Sequence, residues 1–436
     1  MSRTFSSLAV RNYRLFFTGQ IVSNTGAWMQ RVAQDWLVLE LTAGSGLALG
    51  ITTGLQFLPT LLFGLYAGVL ADRYSKRVLL LITQAAMSLC ALALGVLVVA
   101  GAAHVWHVYL LATMLGFATA LDNPVRQAFV VEMVGREHVP NAVSLNSAVF
   151  NGSRIVGPAV AGVLINVFNT GIVFLINGIT YWAVIVGLLM MRESELVPAE
   201  AVERGRGQMR QGLAYVKRRA DLLLPIVLVA IVGTFGMNFQ ITTALMAREE
   251  FHRGAGSFGL LTTALAVGSL TGALLAARRR GAPRQALLIG AGIAFGVFEC
   301  VTALMPTYGT FMLLLIPTGM CMITFGMAAN STLQLGSASR MRGRVMALYS
   351  FVFIGGAPLA SPLVGWVAEM WGARWSILLG GLISLVATAG AGALLMHRQK
   401  LKVRAHIRPR PHLHVQPAHV PAARMEPKVL TDLRAG

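Results

Sequence analysis

The chain has 436 residues, 56% of them hydrophobic and only 12% charged, with a mean hydropathy of +0.66. Soluble domains carry about a quarter charged residues, so this composition excludes one water-soluble core and indicates a polytopic membrane protein. The formal net charge of +19 does not require a nucleic-acid partner, because basic cytoplasmic loops facing anionic lipid account for it.

A membrane helix needs about 20 mostly apolar residues. Runs of that kind fall near 15–40, 47–71, 78–100, 107–128, 142–166, 172–191, 222–246, 257–277, 285–305, 309–333, 345–369 and 375–396, twelve in all. Arg3, Arg11 and Arg14 precede the first run, which is too long for the apolar stretch of a signal peptide. With both termini placed in the cytoplasm, 31 of the 36 Lys and Arg residues fall on that side and 3 on the other, in line with the positive-inside rule. The expectation is an all-α membrane protein with twelve transmembrane helices and both ends inside, in a bacterial cytoplasmic membrane. Cys90, Cys300 and Cys321 all lie in apolar runs, which argues against a disulfide framework.

The first span carries the stretch WMQRVAQDWLVL, residues 28–39. At 100° per residue Gln20, Asn24, Arg31, Gln34 and Asp35 share one narrow stripe. A charge at mid-membrane costs about 2.5–3.5 kcal/mol on insertion scales, so the stripe is expected to face the interior. Arg31 and Asp35, four residues apart, are placed to touch. The pair is open to three readings: proton coupling through Asp35, a static packing contact, or recognition of a substrate's polar group.

The second span ends in GVLADRYSKR, residues 68–77. It resembles the loop 2–3 signature of the major facilitator superfamily, Gly-x-x-x-Asp-Arg-x-Gly-Arg-Arg, at Gly68, Asp72, Arg73, Lys76 and Arg77; Ser75 replaces the usual Gly. The second half keeps Gly272 and a basic run at this place but has lost the Asp. The resemblance implies a cytoplasmic gate, in which a carboxylate at a helix end sits on another helix's N-terminus or on nearby arginines. The start of span 11, after Arg340, Arg342 and Arg344, is the expected partner. Span 5 holds GSRIVGPAVAG, residues 152–162. Its Gly157, Pro158 and Gly162 resemble the superfamily's antiporter motif, with Ala161 departing from it, and imply a kinked, tightly packed hinge and seal; ordinary small-residue packing is the other reading.

Trp28, Trp36, Leu41-Thr42 and the pair Gln56 and Pro59 extend the resemblance toward the branch of siderophore exporters and macrolide-type efflux proteins. In that superfamily spans 1, 4, 7 and 10 line the central cavity, which makes Gln34, Asn123, Arg126, Asn238, Gln240 and Asn330 cavity or gate candidates. Asp122 and Arg126 serve equally as a helix-end pair. Glu299 in span 9 is expected to be neutral or to snorkel toward the outer face.

The two halves also look duplicated. At an offset of about 203, Leu145, Ser147, Phe150 and Gly152 fall on Leu348, Ser350, Phe353 and Gly355; in spans 1 and 7, Gly26 and Gln30 fall on Gly236 and Gln240. Two parallel halves around a midplane site is a transporter architecture. The expected divisions are a six-helix bundle at 1–191, a cytoplasmic linker at 192–221, a second bundle at 222–396 and a disordered basic tail at 397–436. No lysine follows a glycine, so no Walker A loop and no ATP-driven pump is expected, and the enzyme motifs HExxH and GxSxG are missing. In the tail only His412 and His414 approach metal-ligand spacing, so no metal is expected.

The resemblance therefore implies a monomeric secondary transporter, not an enzyme. It would use the proton gradient and no cofactor to export a small lipophilic or amphipathic molecule by alternating access. An uptake carrier, or a non-transporting receptor on the same fold, is the alternative.

Overall fold

A computed structural model of the chain describes residues 3–197, 208–278, 285–398, 401–406 and 412–417. Residues 198–207 of the expected linker, 279–281 of the second-half basic run and 418–436 of the tail lie outside the described residues. A short 3-10 turn, Arg3–Ala9, leads into α1 (Arg11–Leu41), α2 (Gly46–Arg73), α3 (Lys76–Val99), α4 (Val105–Val167) and α5 (Thr170–Leu189). After the linker come α6 (Gln208–Lys217), α7 (Ala220–Phe235), α8 (Phe239–Leu245) with a π turn at Met246–Glu250, α9 (Ala255–Ala277), α10 (Gln285–Ala303), α11 (Tyr308–Gly336), α12 (Ser339–Trp371) and α13 (Ala373–Arg398).

Among the described residues ten helical segments are long and apolar enough to cross a membrane. Two physical facts bear on that number. The 63 residues of α4 would run about 95 Å if straight, three times the bilayer's hydrocarbon core. Instead the chain turns at Gly135, where φ is 68°, a conformation that favours glycine. Both limbs then lie along α1. Phe129 meets Phe16 edge-on, the Ala142 carbonyl accepts from Tyr13 Oη, and Gly157 lies against Trp28. The other fact is the polarity of α1, whose stripe keeps it out of the ten.

The outward surface is apolar, with Val386 68% and Leu394 63% exposed, as a lipid-facing surface requires. Inside, buried apolar residues form one large cluster shared along the chain, joining Trp36, Leu49 and Ile165 to Leu245, Phe258 and Val364. Toward the N-terminal end of α1 the core is divided. Tyr13, Phe16, Phe129 and Leu188 make one cluster, while Val216, Leu222, Leu333 and Val345 make another. Helices α1 to α5 and helices α6 to α13 therefore share a core at one end and are separately cored at the other.

Two glycine seams make the joined end. Gly46 and Gly50 of α2 lie on the backbone of Gly365 and Ser361 in α12, and Gly259 of α9 lies on the Pro158 carbonyl of α4. Small residues permit this approach and bring dispersion contacts with them. Glu369 adds a polar clasp, its Oε2 accepting from Ser45 Oγ (2.7 Å) and Leu47 N (3.0 Å) at the start of α2, where helix N–H groups otherwise lack partners.

The stretches between and after the long helices carry structure of their own. α6 gives the linker a helix, and residues 401–406 pair antiparallel with 412–417, Val403 opposite Val415. The alternation Leu401-Lys-Val403-Arg-Ala405 is the period-two pattern of a strand, which overall composition does not reveal.

Candidate functional site

A cavity of about 700 Å³ opens among α1, α2, α3, α5 and both limbs of α4, within the size range of small-molecule sites. The stripe on α1 supplies Gln20, Asn24, Arg31 and Gln34; α4 adds Asp122, Asn123 and Arg126, with Phe150 and Asn151 from its second limb. Gln34 Nε2 donates to Gln56 Oε1 (3.1 Å), holding the α1 amide against α2.

Asp122 anchors one wall. Its Oδ1 accepts from Thr83 Oγ1 and Gln84 Nε2, each at 2.8 Å, and its Oδ2 accepts from Arg126 Nε at 2.8 Å. Arg126 also donates to Gln20 Oε1. The carboxylate is thereby satisfied on both oxygens, as a buried charge must be, and it fixes the guanidinium at the cavity edge.

The expected contact between Arg31 and Asp35 is not made. Arg31 bends back along α1 and lays its guanidinium over Trp28, 4.5 Å from the ring centre. Side chains on a helix tilt toward its N-terminus, and a long arginine follows that tilt onto the residue three before it. The short Asp35 side chain stays near its own backbone and is 1% exposed. Its Oδ2 accepts from Gln240 Nε2 of α8 at 2.8 Å, while Oδ1 has no partner. Asp35 is not among the residues lining the cavity; it reaches across to the second half.

Gln240 is placed there by a break that the apolar run 222–246 does not announce. The chain leaves the helix at Gly236–Asn238, and Asn238 Nδ2 donates to the Thr234 carbonyl (2.7 Å) at the end of α7. Gly and Asn at a helix end are the available sequence signal. Asn238 and Gln240 thus serve the break and the Asp35 contact. Asn330 accepts from Gln334 Nε2 along α11 (2.9 Å). None of the three lines this cavity, whose walls all come from α1 to α5.

At the end of α2, Gly68 is buried while Asp72 and Arg73 are exposed. Lys76 Nζ pairs with Glu132 Oε1 (2.7 Å). Arg77 donates to the Leu188 carbonyl (2.8 Å) and the Leu189 carbonyl (3.1 Å) and pairs with Glu193. An arginine on the last carbonyls of α5 complements that helix's negative end. Asp72 is engaged as well. Lys76 and Arg77 thus find their partners on α4, at the end of α5 and at Glu193. Arg342 bonds the Gln334 carbonyl (2.9 Å) and also stays local.

Gly157 faces Trp28 and the backbone of Thr25 and Met29 on α1, while Gly162 packs on Gly256 of α9. Pro158 removes one hydrogen bond of this helix, the one to the Arg154 carbonyl, and next to it Thr263 Oγ1 of α9 donates to the Ile155 carbonyl (3.2 Å), tying the two helices together. Glu299 does not snorkel: it is 3% exposed, its Oε2 has no partner, and it lies beside Gly236 and Gly380. The sequence alone could not find Glu369, the clasp residue of the joined end, because its partner is more than 300 positions away.

Comparison with known proteins follows this geometry. The profile of the family described as transmembrane secretion effector matches residues 2–429. The staphyloferrin A transporter of Staphylococcus aureus is 26% identical over 264 residues, covering 60% of this chain and 66% of that protein, just under two thirds of its length. The multidrug efflux pump Tap of Mycolicibacterium fortuitum is 26% identical over 377 residues, covering 84% of this chain and 91% of the pump. Among solved structures, a bacterial homolog of the human lysosomal transporter Spinster, inward-facing and unoccupied, superposes with a TM-score of 0.68 at 14% identity, covering 87% of this chain and 96% of that one. That likeness is one of fold.

Proposed function

The chain belongs to the transmembrane secretion effector family of the major facilitator superfamily, and on that premise we propose that it exports small lipophilic or amphipathic molecules of the drug or siderophore type. Transport is secondary and active, runs by alternating access in a bacterial plasma membrane, and is driven by proton exchange without ATP or a bound cofactor. The working unit is a monomer.

One observation carries this reading: the cavity lies where the two cores are separate, while glycine seams and the Glu369 clasp hold the opposite end together. That is the shape expected of a carrier open to one side. The proposed topology counts α4 as two spans and α1 as a polar, inward-facing one, which makes twelve with both ends cytoplasmic. The proposed divisions are the two six-helix bundles joined by the linker around α6.

Asp35 is the proposed proton carrier and Arg31 the cavity charge beside it. The bond from Gln240 ties Asp35 to the second half, so protonation weakens a contact between the halves and biases their orientation. Gly68, Asp72, Arg73, Lys76 and Arg77 form the proposed cytoplasmic gate, and Gly157, Pro158 and Gly162 the hinge and seal. Asp35→Asn decides the coupling. In inverted vesicles, pH-driven accumulation of an amphipathic dye should be lost while downhill movement persists; retained uphill transport eliminates Asp35 as carrier.

A further inference from the structure

The charges of the cavity do not balance. Three charged residues line it: Arg31, Asp122 and Arg126. Asp122 is consumed by Arg126, Thr83 and Gln84. Among the described residues Arg31 makes no ion pair; its guanidinium rests on Trp28, and Arg154 lies over the same ring with its guanidinium carbon 5.7 Å from the centre. Two cations therefore gather on one indole at the cavity wall.

We infer that this cavity selects amphipathic organic anions, with Arg31 receiving a carboxylate or similar acid group, Arg154 adding its positive charge from behind the same indole, and the aromatic wall receiving the apolar body. This rests on the transporter reading and names its substrate class. A guanidinium offers several N–H donors in a fork that matches a carboxylate. An unpaired cation in a membrane interior is costly, and an arriving anion removes that cost, so the site is poised for negative charge. A cleft with low-dielectric walls also focuses the field of its fixed charges.

The same geometry disfavours cations. A cationic ligand is repelled by the guanidinium groups at the wall and finds no free carboxylate to offset them. Asp122 has no unused oxygen, Asp35 points to Gln240 outside the lining, and the Trp28 ring already holds Arg31. Trp28 stands edge-on to Phe150, with ring centres 5.7 Å apart, so an apolar platform remains beside the guanidinium groups.

The test is equilibrium binding to the full chain in nanodiscs of zwitterionic lipid, using two probes with one aromatic body: pyrene butyrate and the corresponding pyrene-butyl trimethylammonium. Empty nanodiscs correct for partition into lipid. The butyrate should bind saturably and at least about ten-fold tighter, the order expected of one charge-assisted hydrogen bond. Arg31→Gln should remove most of that preference, with cation binding held or tightened as a repelling charge is lost, Arg154→Gln should remove a smaller part, and Arg31→Lys should retain part of it. Equal binding of both probes, preference for the cation, no saturable binding of either, or a preference untouched by both substitutions overturns the inference. Binding is read without transport, so anion selectivity in a protein that moves nothing would sink the transport reading alone. The Asp35→Asn result bears on coupling alone.

Discussion

Asp35 and Glu299 are both carboxyl groups deep in the fold with one oxygen lacking a partner, and their surroundings set them different tasks. Asp35 receives a donor from the other half of the chain, so its proton state can be felt across the molecule. Glu299 sits among glycine, phenylalanine and serine: Gly236 would place a Cβ 3.1 Å from its Oε2, and Gly380 one 3.1 Å from its Oε1. An uncompensated carboxylate there is costly, and an amide can instead donate to the Phe235 carbonyl that lies against Gly380. Glu299→Gln should therefore leave expression intact and hold or raise the thermal midpoint in detergent. A drop of several degrees would falsify this and point to an ionic partner. Gln240→Leu should act the other way, costing about 1–3 kcal/mol because it strips the donor from Asp35; denaturation of the purified protein reads that loss.

Helix contacts decide which end is closed. At the α2 and α12 seam a side chain on Gly50 would meet the Ser361 carbonyl, and one on Gly54 would sit 3.1 Å from the Pro358 carbonyl. Backbone cannot give way as a flexible side chain can, so Gly50→Leu should force the seam apart. Spin labels at Ala43 and Met370, measured by pulsed dipolar spectroscopy, should report a longer distance in the variant; an unchanged distance distribution would dismiss the seam as the closing element. Glu369→Gln weakens the same closure by replacing charge-assisted hydrogen bonds with neutral ones. It should shift the distribution in the same direction but less, because the clasp is solvent-exposed and the glycine contacts persist. The helix signals behind these elements are mixed. The turn at Gly135 falls between the apolar runs 107–128 and 142–166, whereas the break at Gly236–Asn238 hides inside a continuous apolar run, since hydropathy counts burial and not hydrogen-bond continuity.

On the scale of the whole molecule, the proposed topology, with its charge split of 31 against 3, puts both termini on one side. Green fluorescent protein fused to either end should fluoresce in cells and alkaline phosphatase at either end should be inactive; ends on opposite sides would break the twelve-span count. The sequence by itself determined the membrane class, the lengths of the apolar runs, the orientation bias and the polar stripe of α1. Each follows from a local quantity, such as transfer cost or helical periodicity, that needs no knowledge of neighbours. The stripe residues Gln20, Asn24, Arg31 and Gln34 do line the cavity, as a polar face inside lipid must. Partners were another matter. That Asp35 meets Gln240 and not Arg31, that Lys76 meets Glu132, and that Glu369 closes on Ser45 were decided only by tertiary structure. Those choices depend on how helices 205 or 324 residues apart in sequence pack and where each breaks, and helical spacing along one strand of chain carries no record of that.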